Sequence, residues 1–318
     1  MVAGFLVTGG AGFIGSHLVE YLQARGEQVR VLDNFSTGKM ENIEPFMERI
    51  DLITGDVRDR KACEEAVKGI DFILHQAAVC SVPKSVEDPV TTNEANIDGT
   101  LNLLMAAKNA QVKRFVCASS SSVYGDSEIL PKVETMNPSP GSPYAVTKYA
   151  QENYCKVFYE IYGLETVSLR YFNVYGSKQD PYSPYSAVIP SFMRDLLLDE
   201  SPTIYGDGEQ TRDFTYVSDC VQANLKACHA KGIGGGVFNV ATGKRISINQ
   251  LYRELLDVLG KEITPIYASP RRGDIKHSLA DITMAKARMG YSPRFDIGAG
   301  LRESLPWYRK NFLEKGST

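Results

Sequence analysis

Several chemistries are missing from this 318-residue sequence. The six cysteines (Cys63, Cys80, Cys117, Cys155, Cys220, Cys228) lie far apart with no CxxC, which fits buried, reduced thiols better than a disulfide framework or a thiolate metal site. The four histidines, His17, His75, His229 and His277, are equally scattered, so no metal site is legible. A net charge of -3 carries no basic excess and argues against nucleic acid as a partner. No apolar stretch approaches the roughly 18 residues of a membrane helix. Met1-Val-Ala-Gly-Phe-Leu-Val-Thr8 lacks a basic segment and stops at a glycine-rich turn, so it reads as a first strand and not as a signal peptide. These absences lead us to expect a cytoplasmic protein with no membrane partner. No internal repeat or low-complexity segment is visible either.

What is present is alternation. Short apolar runs at Phe5-Val7, Gln28-Leu32, Ile50-Ile53, Phe72-Leu74, Arg114-Cys117 and Thr166-Leu169 are separated by helical stretches at 13–25, 60–68, 90–110 and 142–162. Apolar strands spaced by amphipathic helices predict a parallel sheet covered on both faces, and right-handed crossovers make it doubly wound. The fold class expected is therefore α/β, a Rossmann-type sheet, over residues 1–172. After Tyr171 the pattern loosens, with helices at 188–198, 217–230 and 248–259. Residues 173–318 read as a smaller mixed α/β substrate-binding lobe, interleaved because Val237-Val240 looks like a strand returning to the main sheet.

Thr8-Gly9-Gly10-Ala11-Gly12-Phe13-Ile14-Gly15 joins the first strand to the first helix. Its glycines allow a tight turn, close backbone approach to a pyrophosphate and close helix packing, and the helix start offers free N–H groups to the anion. A lone glycine-rich turn is weak evidence. Here the strand–turn–helix context is right, and Asp33 ends the second strand at the expected distance. A carboxylate there accepts from ribose hydroxyls and repels a 2′-phosphate, which favours NAD over NADP. Asp56, after the third strand, is a candidate for the adenine end.

Ser142-Pro143-Tyr144-Ala-Val-Thr-Lys148 opens a helix with a natural N-cap and a proline at the first position. Tyr144 and Lys148 are four apart and share a face. A lysine ammonium and the helix dipole favour the phenolate, giving a general base from a group whose free pKa is about 10. Such a pair is common on solvated helices, but a dinucleotide turn upstream gives this one a context. Ala118-Ser-Ser-Ser-Ser-Val-Tyr-Gly125 follows the strand ending at Cys117, where ligands bind in open α/β sheets. One or two of its hydroxyls can bond a reacting alcohol.

Taken together, TGGAGFIGS, Asp33, SSSSVYG, SPYAVTK and Leu169-Arg-Tyr-Phe-Asn173 resemble the extended short-chain dehydrogenase/reductases, and within them the NAD-dependent UDP-hexose 4-epimerases. In the second half the resemblance takes in Val188-Ile-Pro190, Tyr205 to Phe214 and Arg271 to Ser278. It is strongest to bacterial enzymes acting on UDP-N-acetylglucosamine and UDP-N-acetylgalactosamine. The resemblance implies that Gly9, Gly12, Phe13, Ile14, Gly15, Asp33, Asn34, Asp56, Val57, Gln76, Ala77 and Asn96 surround NAD. It implies Tyr144 as base, Lys148 as its partner and a ligand of the nicotinamide ribose, and Ser120 on the sugar 4-oxygen with Ser121 and Ser122 close behind. Asn173, Val188, Tyr205, Arg212, Arg271 and Asp274 would hold the UDP portion, and Ser278 would leave room for an acetamido group. Related dehydratases place an acid pair just before VYG, where this chain has Ser121 and Ser122, which counts against dehydration. A UDP-glucuronate 4-epimerase, a decarboxylase and a non-catalytic NAD-binding scaffold are the other readings. A homodimer is expected, with Leu103, Leu104, Tyr149, Tyr154 and Phe158 as apolar excess on the pairing helices.

Overall fold

Strands of a parallel sheet lie between two helical layers, so they are apolar at consecutive positions and not at alternate ones. The structure, a computed structural model, describes residues 2–181, 187–270 and 275–313. The apolar runs form β1 (Gly4–Thr8), β2 (Gln28–Asp33), β3 (Ile50–Thr54), β4 (Phe72–His75), β5 (Arg114–Ser120) and β6 (Thr166–Tyr171). With Gly236–Val240 they make a seven-stranded sheet in the order Gly236–Val240, β6, β5, β4, β1, β2, β3. Every pairing in it is parallel. Interior strands β1 and β6 are buried at every position, whereas the edge strand β3 is only partly covered. Because all strands run one way, their C-terminal ends share one rim, and the order reverses between β1 and β4. Ligands of open α/β sheets bind at such a reversal.

The turn after β1 leads into the helix Phe13–Ala24 (α1). The long helix expected over 90–110 is three pieces: Pro89–Asn93, a π turn at Glu94–Asp98, and Gly99–Asn109. The helix Pro143–Tyr162 starts where its sequence says it should. Ser142 accepts from the Ala145 N–H, Pro143 fills the first turn, and Gly163 closes the end at φ 69°. Helices Val82–Glu87, Thr283–Met289 and Ile297–Leu313 escape the sequence reading. The first is a short segment followed directly by Asp88-Pro89, and the last contains Pro306.

Two apolar clusters cover the faces of the large sheet. A third, built on Tyr175, Phe192, Met193, Leu251, Leu301 and Tyr308, joins the helices Val188–Leu197, Ile248–Leu259 and Ile297–Leu313. Three small two-stranded pairings, two parallel and one antiparallel, rim this second core. The smaller lobe is thus mixed α/β.

Two expectations need correction. Leu103, Leu104 and Phe158 are buried within the chain and present no outward apolar surface. On the helix Pro143–Tyr162, positions 144, 148, 151, 155 and 158 face inward, so the outward stripe falls at Val146, Val157 and Ile161 instead, the last 69% exposed. Nor are all the thiols buried: Cys80 is exposed. Among the described residues no helix is long and apolar enough to cross a membrane.

Candidate active site

Gly9 adopts φ 66°, and a side chain there would run into the Ala77 backbone at 2.8 Å. The chain therefore turns sharply under β4, and the Gly12 N–H closes the turn on Gly9 O at 3.0 Å. Gly15 packs on Gly9 so tightly that a Cβ would meet Gly9 C at 2.8 Å and Gly10 Cα at 2.9 Å. Gly12 differs. It caps α1 with no side-chain hydrogen bond, and a Cβ there would meet only Gly9 O, at 3.1 Å. The first turn of α1, with Phe13, Ile14 and Gly15, contains no acidic residue. These are the features of an anion cradle: free N–H groups, a positive helix end and open space above them.

Asp33 is buried at the end of β2. Its carboxylate accepts from the backbone N–H of Ala11 at 2.9 Å and of Phe35 at 2.8 Å, one per oxygen, leaving lone pairs for a ribose. The residues present thus fit the pyrophosphate and ribose of a dinucleotide. Asp56 is held otherwise. Arg58 donates to both its oxygens and Asn34 to one, at 2.7 Å, and these bonds hold its carboxyl down at about 2. It fixes the loop beside Val57, whose carbonyl accepts from Asn102. Gln76 bonds Tyr171 and Asn224 through its amide, and the Ala77 N–H donates to Thr8 Oγ1. Asn96, fully buried in the π turn, accepts from the Val79 N–H and donates to Val79 O and Thr147 Oγ1. It therefore braces the loop after Ala77 against the Tyr144 helix.

Tyr144 and Lys148 come together as their spacing requires. Lys148 is 3% exposed, its Nζ stands 5.8 Å from the centre of the Tyr144 ring, and it donates to Ala118 O at 2.8 Å. Ser120, at the end of β5, stands beside the Tyr144 phenol and favours its ionised form. The sequence leads one to expect a phenol lowered by its lysine. In the folded chain burial outweighs everything else and pushes Tyr144 above its ordinary value, the charge of Cys80 adds to this, and Ser120 opposes it. Burial likewise pushes Lys148 down. Ser120 also accepts from the Ser122 N–H and so starts the turn Ser121–Tyr124. Ser121 is half-buried, and the Ser122 hydroxyl is buried with no hydrogen-bond partner among the described residues.

In the smaller lobe, Val188, Tyr205 and Arg212 line one cavity of about 330 Å³. Phe192, Arg194, Gln210 and Ile248 are also in its wall and are not singled out by the sequence. The Ser278 N–H donates to Thr211 O at 3.0 Å, which sets Ser278 beside the Arg212 strand. Asn173, at φ 36°, donates to Asp213 O at 2.9 Å and ties the end of β6 to that strand. Arg271 and Asp274 lie outside the described residues. Sequence reasoning gave no role to Cys80, which acts on Tyr144 and Lys148, nor to Glu152, which faces Lys148 and is bonded by Arg170. The signal for the last two was a charge on an otherwise buried face.

Comparison with known proteins agrees with this geometry. The NAD dependent epimerase/dehydratase family matches residues 5–241. A UDP-glucose 4-epimerase of Mycolicibacterium smegmatis is 36% identical over 96% of this chain and 98% of its own length. Among solved structures, a UDP-N-acetylglucosamine 4-epimerase from Methanobrevibacter ruminantium M1, in complex with UDP-N-acetylmuramic acid, is 44% identical. It superposes with a TM-score of 0.93 over 98% of this chain and 100% of its own. A Thermus thermophilus UDP-glucose 4-epimerase in complex with NAD is 38% identical, with a TM-score of 0.87 over 96% of this chain and 99% of its own. On these matches the chain belongs to the NAD-dependent epimerase/dehydratase family, among whose UDP-hexose 4-epimerases these relatives lie.

Proposed function

We propose that the protein interconverts UDP-N-acetylglucosamine and UDP-N-acetylgalactosamine by reversible 4-epimerisation through a 4-keto sugar. The observation that carries the reading is the buried Tyr144 phenol beside Ser120 at the end of β5, with Lys148 Nζ 5.8 Å from the centre of its ring. Tyr144 takes the proton from the sugar 4-hydroxyl, and Ser120 holds that oxygen while its bond order changes. Lys148 stabilises the phenolate and bonds the nicotinamide ribose. NAD, when bound, supplies the acceptor and donor of hydride at C4 and brings a positive ring charge to the site. Ser121 and Ser122 line the sugar pocket, and the buried, unpartnered Ser122 hydroxyl has donor capacity to spare for a ligand.

Turning the keto sugar over requires a fixed anchor and a loose sugar. Residues 1–172 hold NAD, with Gly9, Gly12, Phe13, Ile14 and Gly15 around the pyrophosphate, Asp33 and Asn34 at the ribose, and Asp56 and Val57 at the adenine end. Gln76, Ala77 and Asn96 shape the wall between cofactor and sugar. Residues 173–318 hold UDP through Asn173, Val188, Tyr205, Arg212, Arg271 and Asp274. Arginine suits a diphosphate because its fork donates in pairs. The lack of a carboxylate at Ser121 and Ser122 supports epimerisation over water loss. Ser278, set beside the Arg212 strand, leaves space for an acetamido group, which favours the acetylated pair over plain hexoses. The outward stripe at Val146, Val157 and Ile161 supports pairing of two copies through this helix. Incubating the purified protein with UDP-N-acetylglucosamine, UDP-glucose and UDP-glucuronate, followed by chromatography, tests the reading. The acetylated sugar is expected to epimerise fastest, and conversion of UDP-glucuronate alone would overturn it.

A further inference from the structure

A buried ionic cluster behind the reacting groups has no part in the chemistry above. Glu152 stands four residues after Lys148 and eight after Tyr144, on the same inward face of one helix. Lysine and glutamate four apart on a helix are natural partners. Here they do not pair: Lys148 donates to Ala118 O at 2.8 Å, and Glu152 is filled from elsewhere. Arg170, on β6, donates through Nε to one Glu152 oxygen at 2.8 Å and through a terminal nitrogen to the other at 2.7 Å. The Ser119 hydroxyl bonds the first of these oxygens as well. Both side chains of the ion pair are 4% exposed. The guanidinium also lies 4.6 Å over the ring of Tyr124, whose hydroxyl donates to Asn239 at 2.7 Å. Arg170 is thus clamped on two sides in the one pose that covers both carboxylate oxygens.

We propose that Arg170 is a positioning residue for the reaction: by occupying both oxygens of Glu152 it keeps that carboxylate from Lys148 and leaves Lys148 an uncompensated cation under Tyr144. This rests on the reading of Tyr144 as the base. With Arg170 in place the buried charges are two positive and one negative, a surplus that favours the phenolate. Without it, Glu152 is one helical turn from Lys148, and the surplus disappears. Glu152 lies two helical turns, about 12 Å, along the helix from Tyr144, and a unit charge at that distance in an effective dielectric of about 20 moves an acid by roughly one pH unit. The other groups facing this cluster are Cys80 from the loop after β4, Cys117 on β5, Cys155 on the same helix and His75 on β4. Glu134 faces Arg170 and Tyr124 from the far side. Burial holds His75 neutral, at about 3, and the one exposed thiol, Cys80, acts equally on parent and variant.

The test is the pH dependence of turnover in Arg170→Met, in Glu152→Gln/Arg170→Met and in Arg170→Lys, each checked for native circular dichroism and bound NAD. For Arg170→Met the acid limb is expected to move up by about one pH unit. Turnover at pH 7 then falls by up to about tenfold and recovers at high pH, with KM for the UDP-sugar unchanged. The double variant removes the carboxylate that captures Lys148, so its limb is expected back at the parent position. Arg170→Lys, which covers a single oxygen, is expected to shift the limb in the same direction by less, and this decides the matter if Arg170→Met does not fold. A merely structural role predicts lower turnover at every pH with the limb unmoved, and that result overturns the proposal. So does a double variant that keeps the shifted limb. Parent-level turnover in Tyr144→Phe refutes the base assignment and this inference together. An inactive Tyr144→Phe with no limb shift in the Arg170 variants refutes this inference alone.

Discussion

Gly12 and Gly15 lie three residues apart in one turn, yet the structure assigns them opposite sensitivities to a single methyl group. At Gly12 the backbone is at φ -77° and ψ -178°, ordinary for any residue, and a Cβ meets only Gly9 O at 3.1 Å. A shift of a few tenths of an ångström relieves that contact. Gly12→Ala should therefore keep the unfolding free energy within about 1 kcal/mol of the parent, since a less flexible unfolded chain offsets the poorer cap. The methyl does project over the N-terminus of α1, where a pyrophosphate oxygen must come to about 2.9 Å of an N–H. Losing one charge-assisted hydrogen bond of about 1.5–3 kcal/mol weakens NAD binding by roughly 10- to 100-fold. At Gly15 the new Cβ runs into three backbone atoms of Gly9 and Gly10, so the turn itself must open. Gly15→Ala should destabilise the chain by about 1–3 kcal/mol or more before any ligand is added. Urea unfolding of NAD-stripped protein and calorimetric titration with NAD separate the two effects. A Gly12→Ala protein with parent NAD affinity would refute the cradle, and a Gly15→Ala protein of parent stability would refute the packing argument.

Ser278→Tyr should suppress turnover of the acetylated sugars at least tenfold while sparing UDP-glucose, because the ring fills the space assigned to the acetamido group; equal losses on both sugars would remove Ser278 as the gate. Light scattering at micromolar concentration should give twice the 35.1 kDa chain mass, and Ile161→Asp, on the exposed stripe, should reduce it to one chain without loss of fold. A parent protein that is already monomeric would end that reading.

Much of this could be read before any coordinates, because the signals are local. The turn from Thr8 to Gly15, Asp33 at a strand end, and the Ser142-Pro143 start of the Tyr144 helix each depend on a few neighbouring residues, and all three stand as read. What stayed hidden depends on residues distant in sequence. Glu152 and Arg170 look like ordinary surface charges until β6 and the helix come together and bury them as a pair. The direction of the Tyr144 shift depends on burial, which spacing alone does not give. The sequence leads one to expect Tyr149, Tyr154 and Phe158 on the outward face of the same helix; with Tyr144, Lys148 and Cys155 facing inward, Phe158 is buried, Tyr149 and Tyr154 are half-buried, and Val157 and Ile161 are exposed. The hold that Arg58 and Asn34 keep on the oxygens of Asp56 is likewise invisible until the loops after β2 and β3 come together.

The central claim is that Tyr144 moves the proton while the hydrogen at C4 leaves and returns within one active site. Incubating parent and Tyr144→Phe proteins with UDP-N-acetylglucosamine carrying deuterium at C4, in ordinary water, measures it directly. The parent is expected to form UDP-N-acetylgalactosamine with the deuterium retained. Tyr144→Phe should keep its NAD and its fold and turn over about 10²–10⁴-fold more slowly. Epimer that has lost its deuterium to solvent, or a Tyr144→Phe protein working at the parent rate, would contradict it.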